Sequence, residues 1–190
     1  MARRRPNLTA LAALALVCAG VFSGCGKSSN EPGETVREGL STPLAGLRYT
    51  VFLTRQLNLK NEEDRGYLPG HQEAPPGKGL YGVFLEACNR GDKEATAANR
   101  FYIEDTQGNR FSPEGLDSEN PFAYHGGAVD PKNCEPSRGS LAQQGPTSGS
   151  MLLFELPLAA TENRPLELHI EGPFDAASGH PEEATVILDI

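Results

Sequence analysis

The sequence predicts an all-β protein: an antiparallel β-sandwich of about seven strands, carrying two long loops and set behind a signal peptide and a flexible tether. Three observations lead there. Apolar residues come in short bursts separated by Gly, Pro, Asn and Asp, none of the bursts keeps a 3.6-residue period for long, and about 145 residues remain after the N-terminal segments, the size of one domain.

The N-terminus begins Met1-Ala-Arg-Arg-Arg-Pro and continues into an uncharged apolar run from Leu8 to Phe22. That run is about 15 residues long, whereas a membrane-spanning helix needs roughly 20. A basic start, a short apolar stretch and small residues before a cut are the features of a secretory signal peptide. Phe22-Ser23-Gly24-Cys25 closely resembles the lipobox of bacterial lipoproteins, in which the cysteine thiol takes a diacylglycerol thioether before cleavage. Residues 1–24 are thus expected to be removed, and Cys25 is the expected lipidation site, with two or three acyl chains sufficing for stable anchoring. The expected location is the bacterial cell envelope, on the extracytoplasmic side of a membrane. Residues 25–46 are rich in Ser, Gly, Pro, Glu and Thr and read as the lipidated cysteine and its tether, leaving 47–190 as the folded domain.

Leu47 to Leu53, β-branched and aromatic, reads as the first strand. Leu80 to Cys88 is apolar on both faces and reads as a central strand. Asn89 to Lys93 makes a turn, Phe101 to Asp105 the next strand, and Thr106-Gln-Gly-Asn109 a hairpin connection to Arg110-Phe111, with Gly108 supplying a positive φ. Ser150 to Leu156 is a strand stopped by Pro157, and the following polar crossing has room for one helical turn. Leu166 to Ile170 alternates strictly, and Ala184 to Ile190 closes the chain.

Asn58 to Gly79 and Ser112 to Gly149 are too long to be turns. The first concentrates Glu62, Glu63 and Asp64, which read either as a solvated acidic loop or as part of a calcium-binding set. Tyr67, Phe122, Tyr124 and His125 are loop rings that serve either as partner anchors or as small satellite cores beneath the loops. Together these seven residues are the candidate interaction loops. Cys88 and Cys134, the even pair left in an exported domain, read as one disulfide pinning the second loop to the central strand.

The order of these features resembles the immunoglobulin-like domain of exported bacterial lipoproteins, a family of unknown function related in fold to small secreted immunoglobulin-like antigens. Asn89-Arg90-Gly91-Asp92, Asp105-Thr106-Gln107-Gly108, Leu153-Phe154-Glu155-Leu156-Pro157 and Leu166-Glu167-Leu168 carry the resemblance across roughly 47–190. It implies an immunoglobulin-like strand arrangement, with turn and core roles for those glycines and Phe154. It implies no catalytic residues.

The search for chemistry ends similarly. His71, His125, His169 and His180 form no HExxH and no close pair, and no Cys-rich ligand cluster, G-x-S-x-G, S-x-x-K, P-loop or dinucleotide fingerprint occurs. No cofactor or metal and no enzyme activity is therefore expected. Three arginines leave with the signal, which takes the formal net charge from −8 to −11 and argues against nucleic acid as a partner. The functional expectation is a lipid-anchored envelope binding or interaction module. A carrier of a small molecule or metal ion, or an envelope hydrolase with a nonlocal site, stands as the alternative.

Overall fold

The computed structural model describes residues 33–176 and 179–190. The signal peptide, Cys25 and the first part of the expected tether lie outside the described residues. The strands are β1 (Val36–Arg37), β2 (Ser41–Leu44), β3 (Leu47–Leu57), β4 (Lys78–Cys88), β5 (Ala95–Ala97), β6 (Arg100–Glu104), β7 (Arg110–Phe111), β8 (Gly127–Val129), β9 (Cys134–Glu135), β10 (Ser150–Pro157), β11 (Leu166–Asp175) and β12 (His180–Leu188). Two short helices, α1 (Glu62–Tyr67) and α2 (Leu141–Gln144), lie in the two long connections, and a 3₁₀ turn over Leu158–Glu162 supplies the expected helical turn.

One sheet has the order β1-β12-β11-β6-β7 and the other β10-β4-β3-β2, with β9 paired to the end of β4; β5 and β8 form a separate ribbon. The protein is an all-β sandwich. All seven expected strands are present, as β3, β4, β6, β7, β10, β11 and β12. The pairing is antiparallel apart from β1, which runs parallel to β12. Between the sheets lie Tyr49, Val51, Val83, Leu85, Phe154, Ile103, Leu168, Ile170 and Val186, all at most 1% exposed.

The expected tether is too long. Val36 and Leu44 are buried in this core, and β2 pairs with β3 through a turn at Ala45 and Gly46, both at positive φ. The sandwich therefore begins ahead of Leu47. Its first two strands contribute so few apolar side chains that they lack a periodic signal, and Pro43 fits because β2 lies at a sheet edge. Beyond β2 the edge of β3 is closed differently: the Gly39 N–H donates to Val51 O, and Glu38 Oε2 accepts the Thr54 N–H.

β4 is buried at every position except Lys78 and Glu86, which confirms it as a central strand. Leu80 and Phe84 on its outer face join Leu57, Met151, Leu153, Tyr67 and Leu68 in a second core. The loops beyond Asn58 and Ser112 form its lid, with Leu116 and Phe122 packed against it.

Two of the family-like motifs act as turn hubs. Buried Asn89 donates through Nδ2 to the carbonyls of Lys93 and Val129 and accepts the Gly91 N–H. Asp105 accepts from the N–H groups of Gln107 and Asn109 and from the side-chain amides of Asn109 and Asn163, so it ties the β6–β7 hairpin to the segment before β11. These donors, the Asn109 amide first among them, hold its carboxyl down at about 2, below the usual value of 3.8. The stabilisation from Asp105 is present in full above its unfolded-state value, near pH 4, and is lost as pH falls towards 2. Acid titration of thermal stability should therefore be less steep between pH 4 and pH 2 in Asp105→Asn than in the wild type; identical acid limbs would rule the hub out as the cause.

Candidate ligand groove beside the disulfide

The expected Cys88–Cys134 bridge is present, joining two residues directly opposite each other on β4 and β9. Closing a loop of 46 residues stabilises the fold by about 4 kcal/mol in the chain-entropy treatment. The bridge also places Cys134 and the chain after it along the outer face of β4, where the lid over the second core ends.

That boundary is a groove. Its floor is Glu86, which points outward two residues before Cys88. One wall is formed by Phe52 and Leu53, where a register shift between Val51 and Leu53 leaves Phe52 without a cross-strand partner. The two residues are 38% and 39% exposed, an unusual pairing of large apolar side chains on this surface. The opposite wall is Pro136, Gln143 and the segment Pro146 to Gly149, and this half encloses ≈ 470 Å³. Past Glu86 and Gln143 the groove continues for a further ≈ 380 Å³ between Asn89, Arg90, Lys132 and Arg138.

The far wall is built to a close tolerance. Gly149 has φ +109°, and a Cβ there would lie 2.8 Å from Leu85 O and 2.9 Å from Leu85 N, so only glycine lets the chain approach β4 this closely. Gly149 N–H donates to Ala142 O at the end of the wall, and α2 is capped by Ser140, whose Oγ accepts the Gln143 N–H. Tyr67 Oη accepts the Thr147 N–H at 2.9 Å. The second core thereby supports the groove wall directly.

Glu86 is half-buried, and burial pushes its carboxyl above the ordinary carboxylate range against the opposing pull of Arg90 and Arg138. Neither arginine comes within the 4.0 Å of an ion pair with Glu86 or any other carboxylate among the described residues. Lys132 is occupied, 2.8 Å from Asp92 and 2.9 Å from the Arg90 carbonyl. The one group of possible metal ligands among the described residues is Glu86, Cys88 and Cys134, and the bridge between its two sulfurs leaves no thiolate to bind an ion.

The candidate interaction loops do not come together as a presented surface. Glu62 is exposed, Glu63 pairs with Arg55 at 3.0 Å, and buried Asp64 lies 2.7 Å from the same guanidinium while accepting the Asn58 N–H. This places the three acids in the first turn of α1, capped by Asn61, where carboxylates favour the helix dipole. Tyr67 is 2% exposed and meets Phe84 and Phe122 edge-on, at 5.1 and 4.8 Å between centroids. Those two rings are a satellite core, because the outer face of β4 has to be covered. Tyr124 packs against the main core, donating to Ala98 O while Tyr49 Oη accepts the Ala98 N–H. Burial raises both phenols, so they remain neutral. Of the four rings only His125 is exposed, beside Glu114 and Tyr124 at the mouth of a cleft of ≈ 300 Å³.

A second polar cluster lies on the outer face of the five-stranded sheet, where sequence reasoning weighed His169 only as a metal ligand. Its Nδ1 is 2.6 Å from Glu183 Oε1, and its ring stacks on Tyr102 with centroids 4.5 Å apart and planes 3° from parallel. Tyr102 donates to the same carboxylate, and its hydroxyl is pushed up to about 12 by desolvation first and then by Glu183. Glu167 stands opposite Glu104 in the register, a like-charged pair in which Arg110 lies 2.6 Å from Glu104 and His169 Nε2 lies 3.7 Å from Glu167. The arrangement superficially matches a carboxylate–histidine dyad. Its Nε2, however, is shielded from solvent and faces Glu167 at 3.7 Å, leaving no substrate approach.

No family model matches the sequence, and no curated protein matches it. A solved structure shares the fold. The yjhA protein of Bacillus subtilis superimposes with a TM-score of 0.53 at 13% identity, over 81% of this chain and 99% of that one. An uncharacterised β-sandwich protein of Clostridium difficile gives 0.46 at 14% identity over 86% and 99% of the two chains. A lipoprotein candidate of B. subtilis, ycdA, gives 0.47 at 6% identity over 77% of this chain and 38% of that one. Among the described residues no helix is long and apolar enough to cross a membrane.

Tyr67→Phe removes the acceptor for a partly buried N–H and should cost about 1–3 kcal/mol in chemical denaturation, whereas Glu62→Ala should stay within about 0.5 kcal/mol. Equal effects would mean that Tyr67 does not hold the wall.

Proposed function

We infer that this protein is a lipid-anchored binding module of the bacterial cell envelope. Acyl chains on Cys25 hold it on the extracytoplasmic side of a membrane, and the groove over Glu86 is the surface that receives its ligand or partner. The groove carries this reading. It combines an exposed apolar wall, a half-buried carboxyl and two arginines without a bonded carboxylate, on a rigid strand and beside a disulfide. Binding sites are concave and join apolar surface to a few placed polar groups, and this one sets an apolar half beside a polar one. The resemblance to lipoprotein immunoglobulin-like domains and the lipobox at Cys25 support the anchor.

The reading is of binding without catalysis: Glu86, Gln143 and the arginines offer contacts, and no nucleophile and base are paired across the groove. Residues around Tyr67 and Phe122 belong to its support.

Two measurements test the two halves separately. Cys25→Ser should shift the protein from the membrane to the soluble fraction and abolish metabolic labelling with palmitate; a variant still membrane-bound and labelled would refute the anchor. A photo-crosslinking residue at Ser148, on the groove wall, should capture a discrete adduct in intact cells, while the same residue at Thr185, on the outer face of the other sheet, should not. Indistinguishable adducts from the two positions would remove the groove from consideration.

A further inference from the structure

The charge left over in the groove specifies what it binds. Three cations and one carboxylate line its polar half. Lys132 is neutralised by Asp92, which leaves Arg90 and Arg138 against Glu86 alone, a surplus of one positive charge. The apolar half, with Phe52, Leu53, Pro136 and Pro146, opens into this polar half through Glu86 and Gln143.

We propose that the groove binds a monoanionic amphiphile, its apolar chain along Phe52, Leu53, Pro136 and Pro146 and its anionic head between Arg90 and Arg138. The proposal rests on the reading of this groove as the binding site and adds the ligand's chemistry. A guanidinium pair matches a carboxylate or sulfonate in shape as well as charge. Glu86 limits the charge: it offsets one of the two arginines, so a monoanion completes the balance and a dianion overshoots it. Gln143, shared by both halves, offers its amide to the head group. Because the surplus positive charge lies at one end only, the ligand has one orientation, head towards the disulfide and chain towards the β3 bulge. A cationic amphiphile of the same length would place its charge against both arginines and is excluded.

The test is calorimetric titration of the mature chain carrying Cys25→Ser with decanoate and with decylamine, below the concentrations at which either forms micelles. Decanoate should bind one per chain, and decylamine should give no saturable heat. Arg90→Ala/Arg138→Ala should weaken decanoate at least about tenfold, the loss of charge-assisted hydrogen bonds, and Phe52→Ser should weaken it comparably through the chain. Ser148→Trp, which fills the groove without removing a charge, should also abolish binding, so that a failure of the arginine variant to fold leaves the proposal testable. Decanoate affinity unchanged in all three variants would overturn the proposal, as would absence of saturable binding to the parent chain. If decanoate fails while Ser148 still captures a discrete adduct in cells, the groove remains a binding site and the amphiphile is wrong. An arginine-dependent acidic peptide in that adduct would identify the replacement.

Discussion

A strand with apolar side chains on both faces has to be covered on both, and much of this structure follows from meeting that requirement at β4. Its inner face is covered by the other sheet, as in any sandwich. Its outer face presents Leu80 and Phe84 with Met151 and Leu153 of β10 beside them, and a bare sheet surface of that kind would invite aggregation. The two long connections supply the cover: α1 lays Tyr67 and Leu68 over Phe84, and the Ser112–Gly149 connection adds Leu116 and Phe122. Loops of this length usually signal function. A few side chains from each complete the second core, and Tyr67 and Phe122, which read as partner anchors, face inward for the same reason.

The cover stops at Glu86. A carboxylate on the outer face of an otherwise apolar strand cannot be sealed under a lid without a partner, and the half-buried state of Glu86, with its raised pKa, shows the intermediate outcome. The cover therefore opens at this point. The disulfide at Cys88 anchors one end of the far wall and the Gly149–Leu85 approach the other, and the groove is the gap between that wall and Phe52 and Leu53 of β3. Because both walls are held by contacts independent of any ligand, the site exists before binding, and little conformational entropy remains to be lost when it is filled.

How far the sequence disclosed this depended on how each signal was concentrated. Six strands were legible because each concentrates apolar or β-branched residues in one stretch, and β7 because the turn around Gly108 marks a hairpin. β1 and β2 were hidden because their packing depends on isolated residues such as Val36 and Leu44, which look like incidental apolar residues in a polar tether. The extension of β11 to Asp175 passes through Gly172-Pro173, a pair that reads as a breaker and is absorbed by a register shift between Glu171 and Phe174. α1 had a readable start, Asn61 followed by three acids, yet its meaning as a cap and first turn competes with the acidic-loop reading until Arg55 is seen against Asp64. The disulfide was legible by cysteine arithmetic. The groove was not: Phe52, Glu86, Arg90 and Arg138 come from separate segments, and Phe52 is exposed only because of a bulge that no local pattern marks.

The overall charge poses a problem for an anionic ligand, since the surface is acidic and repels anions at a distance. Two features reduce the conflict. Beyond about 8 Å at physiological ionic strength the repulsion is largely screened, so the approach is governed by the charges nearest the groove. Those are Arg90 and Arg138, whereas Arg37, Lys78, Arg100 and Arg110 elsewhere are each placed against a carboxylate and present a neutralised pair. Surface pairs of this kind contribute little stability, and the two groove arginines share with Arg48, Arg65, Lys93 and Arg164 the lack of a carboxylate within ion-pair distance among the described residues. Selection against other anions then falls to the apolar wall: a small polar anion gains only the arginines and keeps its hydration, whereas an amphiphile also buries its chain against Phe52 and Leu53, at roughly 0.8 kcal/mol for each methylene removed from water. Affinity in such a site rises with chain length until the ≈ 470 Å³ of the apolar half is filled, which makes the volume beside the β3 bulge, rather than the arginine pair, the determinant of which monoanion is held.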